Sequence, residues 1–137
     1  MSAAARPNRS PPISNHRVEI RTGPERGRGV FAREPIAADT LVEAAPVIIV
    51  PAAECRLLDR TILYNYYFHW DGDPDGEGRG ALGLGLVSLC NHSSQPRARV
   101  DRNFIRHTLD LVAITDIGPG EEITIDYGCE LWFEPLD

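Results

Sequence analysis

Three observations predict a mainly β fold of several short-stranded sheets with one or two short helices. Apolar and β-branched residues recur in short runs, several of them alternating with polar ones as a half-buried strand requires. Many of the 12 glycines and 11 prolines separate these runs, as turns demand. Only one stretch, after Pro51, carries a helix-starting signal of its own. At 137 residues the chain has the size of one domain with one core. Residues 1–15, with Pro7, Pro11, Pro12 and almost nothing to bury, read as a disordered tail, leaving residues 16–137 as a single domain.

The elements follow in order. Residues 18–22 alternate as a strand, residues 23–27 turn, and residues 30–33 resume as a strand. The Val- and Ile-rich segment 41–50, bounded by Asp39 and Pro51, predicts a longer buried strand or a pair broken at Pro46. Pro51 then opens a short helix running to Leu58. The aromatic segment 62–70 predicts a strand, with Tyr64, Tyr66 and Phe68 on one face. Residues 71–80, acidic and Gly-rich, form an exposed loop. Residues 81–86, 97–101, 107–115 and 123–127 are further short strands, the last two separated by a Gly118, Pro119, Gly120 turn.

Composition excludes several functions. No apolar stretch approaches the roughly 18 to 20 residues that span a bilayer, so no membrane partner is expected. Cys55, Cys90 and Cys129 are odd in number, without a secretory signal or a Cys-x-x-Cys pair. They read as plain thiols in a reducing, cytoplasmic setting, with no metal site. The formal net charge of −6 argues against direct nucleic-acid binding and suits a basic protein or peptide. All 14 basic residues counted as Lys or Arg are Arg. The absence of lysine excludes Schiff-base chemistry, pyridoxal phosphate attachment and a P-loop.

Two stretches match a Gly-x-Gly-x-x-Gly/Ala pattern: Gly27, Gly29 and Ala32, and Gly78, Gly80 and Gly83. Neither lies between a strand and a helix, and the second leaves an acidic loop that repels phosphate. A dinucleotide site is therefore not expected. Gly27 and Gly29 instead suit a tight turn and close backbone approach. A Cys90/His92 hydrolase lacks a third group to orient its base. Asn91, His92 and Ser93 follow an apolar run that anchors them to the core, and about thirty residues later come Glu121 to Tyr127, with Ile123 and Ile125 on one face and Tyr127 at its end.

In order and spacing, the Gly27 to Ala32, Asn91 to Ser93 and Glu121 to Tyr127 motifs resemble a SET domain, the fold of most protein lysine methyltransferases. The likeness covers residues 17 to 133 and is nearest to short, stand-alone bacterial members. It implies a β-clip fold whose C-terminal strand threads beneath the Asn91 loop as a pseudoknot, an exception to unthreaded chains. It also implies S-adenosylmethionine as cofactor, with Gly27, Arg28 and Gly29 along its methionine part. Asn91 and His92 would lie at its adenosyl part, and Trp132 or Phe133, with Trp132 preferred, would cover its ring or complete the core. Tyr127 would be the catalytic residue, contacting the methyl and sulfonium.

The expected acceptor is a lysine ε-amine of a basic protein. Tyr64, Tyr66, Phe68 and Ile125 are candidates for its channel. At Ile125 an apolar side chain replaces the aromatic group that limits methyl number in some relatives, which implies methylation beyond one group. The sequence departs from the family at Arg97, where an Asn is usual, and at Ala44 to Val47, where a Tyr-x-Gly-Glu segment often supplies a channel hydroxyl. Short members of the family can form homodimers, one way to close an open channel. The competing reading is a catalytically silent module of the same fold that binds a basic peptide.

Overall fold

The computed structural model describes residues 17–23, 27–72 and 78–127. The expected tail 1–15, the middle of the acidic loop, Cys129, Trp132 and Phe133 lie outside the described residues. Among the described residues no helix is long and apolar enough to cross a membrane.

Among the described residues nine strands form two sheets around one buried cluster. The smaller sheet holds β1 (Val18–Gly23), β2 (Gly27–Ala32), β9 (Glu122–Ile125) and β6 (Asn91–His92), in the order β1-β2-β9-β6. The larger holds β3 (Leu41–Val50), β4 (Tyr67–Asp71), β5 (Arg79–Gly83), β7 (Ala98–Asn103) and β8 (Thr108–Ala113), in the order β4-β5-β3-β8-β7. The mainly β prediction therefore holds, as does the short helix α1 (Ala52–Leu58) behind Pro51.

Segment 41–50 is one continuous strand, and Pro46 marks where its partners change. Its first half pairs with β8 as far as Pro46, opposite Thr108, and its second half pairs with β5 from Val47 onward. An imino residue without an N–H is tolerated at such a changeover. A bulge between Leu41 and Glu43 resets the phase, so Val42 and Ala45 both lie in the core, and alternation from Ala45 packs Val47 and Ile49 against it.

The aromatic segment departs from expectation. Ile62–Asn65 is a 3-10 turn, and β4 begins only at Tyr67. The cause lies at Thr61, whose hydroxyl donates to the Leu58 carbonyl at 2.8 Å and accepts from the Leu63 N–H at 3.1 Å. Such side-chain bonds offer the backbone an alternative to a sheet ladder. The change of structure breaks the alternation that would have grouped Tyr64, Tyr66 and Phe68. Within β4 it is Trp70 that is buried, packed edge-on against Phe104 at 4.8 Å, while the Tyr67 hydroxyl donates to Asp59 at 2.7 Å.

A second 3-10 turn, Leu86–Leu89, leads directly into β6 and so sets the height of Asn91. Its first N–H groups are met by one side chain: the Glu43 carboxylate accepts from Leu86 at 2.8 Å and from Val87 at 2.9 Å. Glycine is needed at position 85, where a Cβ would stand 2.6 Å from a Glu43 oxygen. Removing this carboxylate strands two part-buried donors. We expect Glu43→Ala to cost about 1–3 kcal/mol in urea unfolding, with Glu43→Gln in between; stability equal to the native protein would show that the cap contributes nothing.

Candidate active site

The three motifs singled out in the sequence meet where β9 runs between β2 and β6. On one side β9 pairs antiparallel with β2, Val30 opposite Ile123 and Phe31 opposite Glu122. On the other it pairs parallel with β6, Asn91 opposite Thr124 and His92 opposite Ile125. The segment after β6 continues along β9, with Ser93 N–H donating to the Ile125 carbonyl at 2.9 Å and Arg97 N–H to the Thr124 carbonyl at 3.2 Å. β9 is thus held on both flanks.

Asn91 ties the three motifs together. Its side-chain amide donates to the Arg28 carbonyl at 3.0 Å and to the Glu122 carboxylate at 2.7 Å. Gly29 makes room for that pair: a Cβ there would come within 2.3 Å of a Glu122 oxygen and 2.8 Å of the Asn91 nitrogen. Close approach thus explains Gly29, whereas Gly27, at φ 74°, holds a left-handed conformation that favours glycine. Arg97, the departure from the family pattern, is part of the same assembly. Its guanidinium donates to the Glu122 carbonyl at 2.8 Å and lies 3.9 Å from the Glu121 carboxylate.

Tyr127 is fixed at three points. Its backbone N–H donates to His92 Nδ1 at 3.1 Å, its ring lies 5.2 Å from the buried imidazole, and its hydroxyl donates to the Cys90 carbonyl at 2.8 Å. Nδ1 acts as the acceptor of that N–H, which leaves Nε2 as the ring's donor nitrogen. The Asp126 carboxylate lies 3.8 Å from Nδ1. Burial, followed by Cys90, Tyr66 and Glu122 nearby, pushes the Tyr127 phenol up to about 12. Burial likewise raises the Cys90 thiol, which Glu43 and Glu122 reinforce. With its thiol protonated and the imidazole engaged by Tyr127, the Cys90/His92 pair is not a nucleophile and base.

Two cavities flank the tyrosine. The larger, about 360 Å³, is mostly apolar and includes Phe68, Leu109, Ile125, Asp126 and Tyr127 in its wall. The smaller, about 290 Å³, is bordered by Arg28, Tyr66, Leu89, Asn91 and Tyr127. Asn65, Ser88, Cys90 and Tyr127 border both. Tyr127 thus stands on the partition between a polar cavity and an apolar one.

The sequence-predicted residues distribute around that partition. Arg28 and Asn91 border the smaller cavity, and Phe68 and Ile125 the larger. Tyr66, expected with Phe68, borders the smaller cavity instead, and Tyr64 borders neither, because both precede β4. Gly27 and Gly29 shape β2, and the His92 side chain, 7% exposed, backs Tyr127 and lines neither cavity. Trp132 lies outside the described residues. Sequence reasoning missed Glu43, Asn65 and Ser88, which carry no motif. For Arg97 there was a signal, its departure from the family form, without an indication of its bond to β9.

The SET domain family model matches residues 27–128 of the chain. A Schizosaccharomyces pombe protein described as a histone-lysine N-methyltransferase, H3 lysine-37 specific, is 35% identical over 124 residues, covering 90% of this chain and 81% of that protein. A Plasmodium falciparum crystal structure assigned to the histone methyltransferases superposes with a TM-score of 0.64 at 26% identity, covering 85% of this chain and 97% of that one. The Neurospora SET domain protein DIM-5 has the same fold, with a TM-score of 0.66 at 23% identity over 88% of this chain and 55% of that one.

The contact at Gly29 can be tested by coupling. Gly29→Ala should destabilise the fold by about 1–3 kcal/mol through overpacking, and part of that cost should vanish when Glu122→Ala removes the nearer of the two obstructions, leaving the Asn91 amide. Strictly additive effects in urea unfolding would contradict the packing described.

Proposed function

The chain belongs to the SET-domain family, and on that premise we propose that it transfers methyl groups from S-adenosylmethionine to a lysine ε-amine of a protein substrate. The position of Tyr127 on the wall common to a polar and an apolar cavity carries this reading. A cofactor and an acceptor can enter from opposite sides and meet at one hydroxyl.

The smaller cavity suits the cofactor's chemistry. Arg28 offers a guanidinium for a carboxylate, Asn91 an amide, and Tyr66 an aromatic ring and hydroxyl. When bound, S-adenosylmethionine supplies an electrophilic methyl carbon on a sulfonium. The chain's own residues do the rest by placement. Because the Tyr127 proton is already donated to Cys90, the hydroxyl presents its oxygen lone pairs to the partition. With the cofactor bound, they would be placed to hold its methyl by weak C–H contacts and to help orient an amine.

A phenol raised to about 12 is not a base at neutral pH. The neutral amine comes instead from desolvation. A lysine ammonium, with an ordinary pKa of about 10.4, loses hydration as it passes Phe68, Leu109 and Ile125, and the charged form is disfavoured. Asp126, exposed on the same wall, attracts the ammonium before that step. The net charge of −6 favours approach of a basic protein.

Ile125, 1% exposed and without a polar atom, leaves space at the acceptor and holds neither a water nor a retained N–H. The product therefore extends beyond monomethyl-lysine.

Calorimetry should show S-adenosylmethionine binding, and tritium should pass from it to lysine in histones or other basic proteins. Tyr127→Phe should lower kcat about 100-fold or more while cofactor Kd changes only a few-fold. Absence of cofactor binding, or label on this lysine-free chain itself, would refute the reading. Ile125→Tyr should shift products toward monomethyl-lysine by mass spectrometry, and an unchanged distribution would remove Ile125 from that role.

A further inference from the structure

We propose that Arg102 selects the substrate by binding a carboxylate side chain close in sequence to the acceptor lysine, an inference that rests on the methyl-transfer reading. Arg102 lies on β7, an outer strand of the larger sheet, and borders the same cavity as Tyr127. Its Nη1 donates at 2.8 Å to the carbonyl of His69 on β4, the outer strand at the sheet's opposite edge. That bond reaches from one edge of the sheet to the other and fixes the guanidinium, leaving its other N–H groups available.

The charges around it are uneven. Arg97 lies against Glu121, and Arg99, which also borders the cavity, holds Asp101. Among the described residues no carboxylate lies within 4.0 Å of Arg102. Asp126, adjoining Tyr127, is the carboxylate on the cavity wall, and His69 adds an imidazole. The wall therefore pairs an acid beside the tyrosine with an uncompensated cation on β7. Its complement is a lysine accompanied by Asp or Glu, held by charge-assisted hydrogen bonds. This local preference runs against the chain's overall negative charge, which attracts basic proteins from a distance.

The test uses peptides with one lysine in a neutral frame, carrying Glu, Ala or Lys at the neighbouring positions. Native enzyme should favour Glu over Ala about fivefold in kcat/KM at low salt. Arg102→Gln keeps a polar side chain but removes the charge, and should bring that ratio to about one. Arg102→Lys should restore part of it, and Arg102→Glu should turn the preference toward the Lys-flanked peptide. A native ratio of one or less, or a ratio that survives Arg102→Gln, overturns the proposal. Fluorescence anisotropy of the same peptides with norleucine at the acceptor reads the preference without turnover. Failed methyl transfer with an Arg102-dependent binding preference would refute the transfer reading alone, whereas equal binding of all three peptides would refute this inference.

Discussion

The amide nitrogen of Asn91 gives its two protons to the Arg28 carbonyl and the Glu122 carboxylate, and the rest of the site depends on that pair of bonds. The three residues are distant in sequence, so closing the loops between them costs chain entropy that local structure cannot offset. Hydrogen bonds to a charged group, each contributing about 1.5–3 kcal/mol, are among the stronger polar terms available. The arrangement also demands space, which explains Gly29 more directly than any ligand does. From this point the alignment of β2, β9 and β6 follows, and with it the placement of Tyr127 just beyond β9.

Support comes from either side of that knot. Glu43 caps the turn that delivers Cys90 and Asn91, while Arg97 fastens the loop after β6 to the backbone of β9. Cys90 then takes part through its carbonyl and not its thiol, holding the Tyr127 hydroxyl, and His92 holds the same residue by its backbone. Several residues that a motif reading places at a ligand thus act one step behind it. They fix a protonated phenol at the boundary of two cavities, where positioning rather than proton abstraction is its contribution.

Much of the fold was legible from local pattern. Alternation in β1, the β-branched run of β3 and the proline before α1 each reflect forces acting over a few residues. The segment 62–70 misled because aromatic composition suits a strand, while Thr61 imposed a turn through its hydroxyl. A break in phase of that kind moves every following side chain, so Tyr66 faces the smaller cavity and Tyr64 neither. Parallel pairing of β6 with β9 lies beyond any periodicity argument, since it joins residues more than thirty positions apart; the resemblance implied only that the C-terminal strand passes beneath the Asn91 loop. Glu43 and Arg102 had no motif to mark them, and only tertiary contacts identify what they hold.

The two cavities also divide the chemistry by polarity. A cation, an amide and a phenol border the smaller one, while apolar side chains dominate the larger, with charge confined to Asp126 and the arginines of β7. That division separates a charged, zwitterionic cofactor from an amine that must shed its proton. The most direct test of this account is a crystal structure with S-adenosylhomocysteine. It should show the ligand bordered by Arg28, Tyr66 and Asn91, with its sulfur turned toward the Tyr127 hydroxyl. A ligand lodged in the larger cavity beside Phe68 and Ile125, or away from Tyr127 altogether, would contradict it.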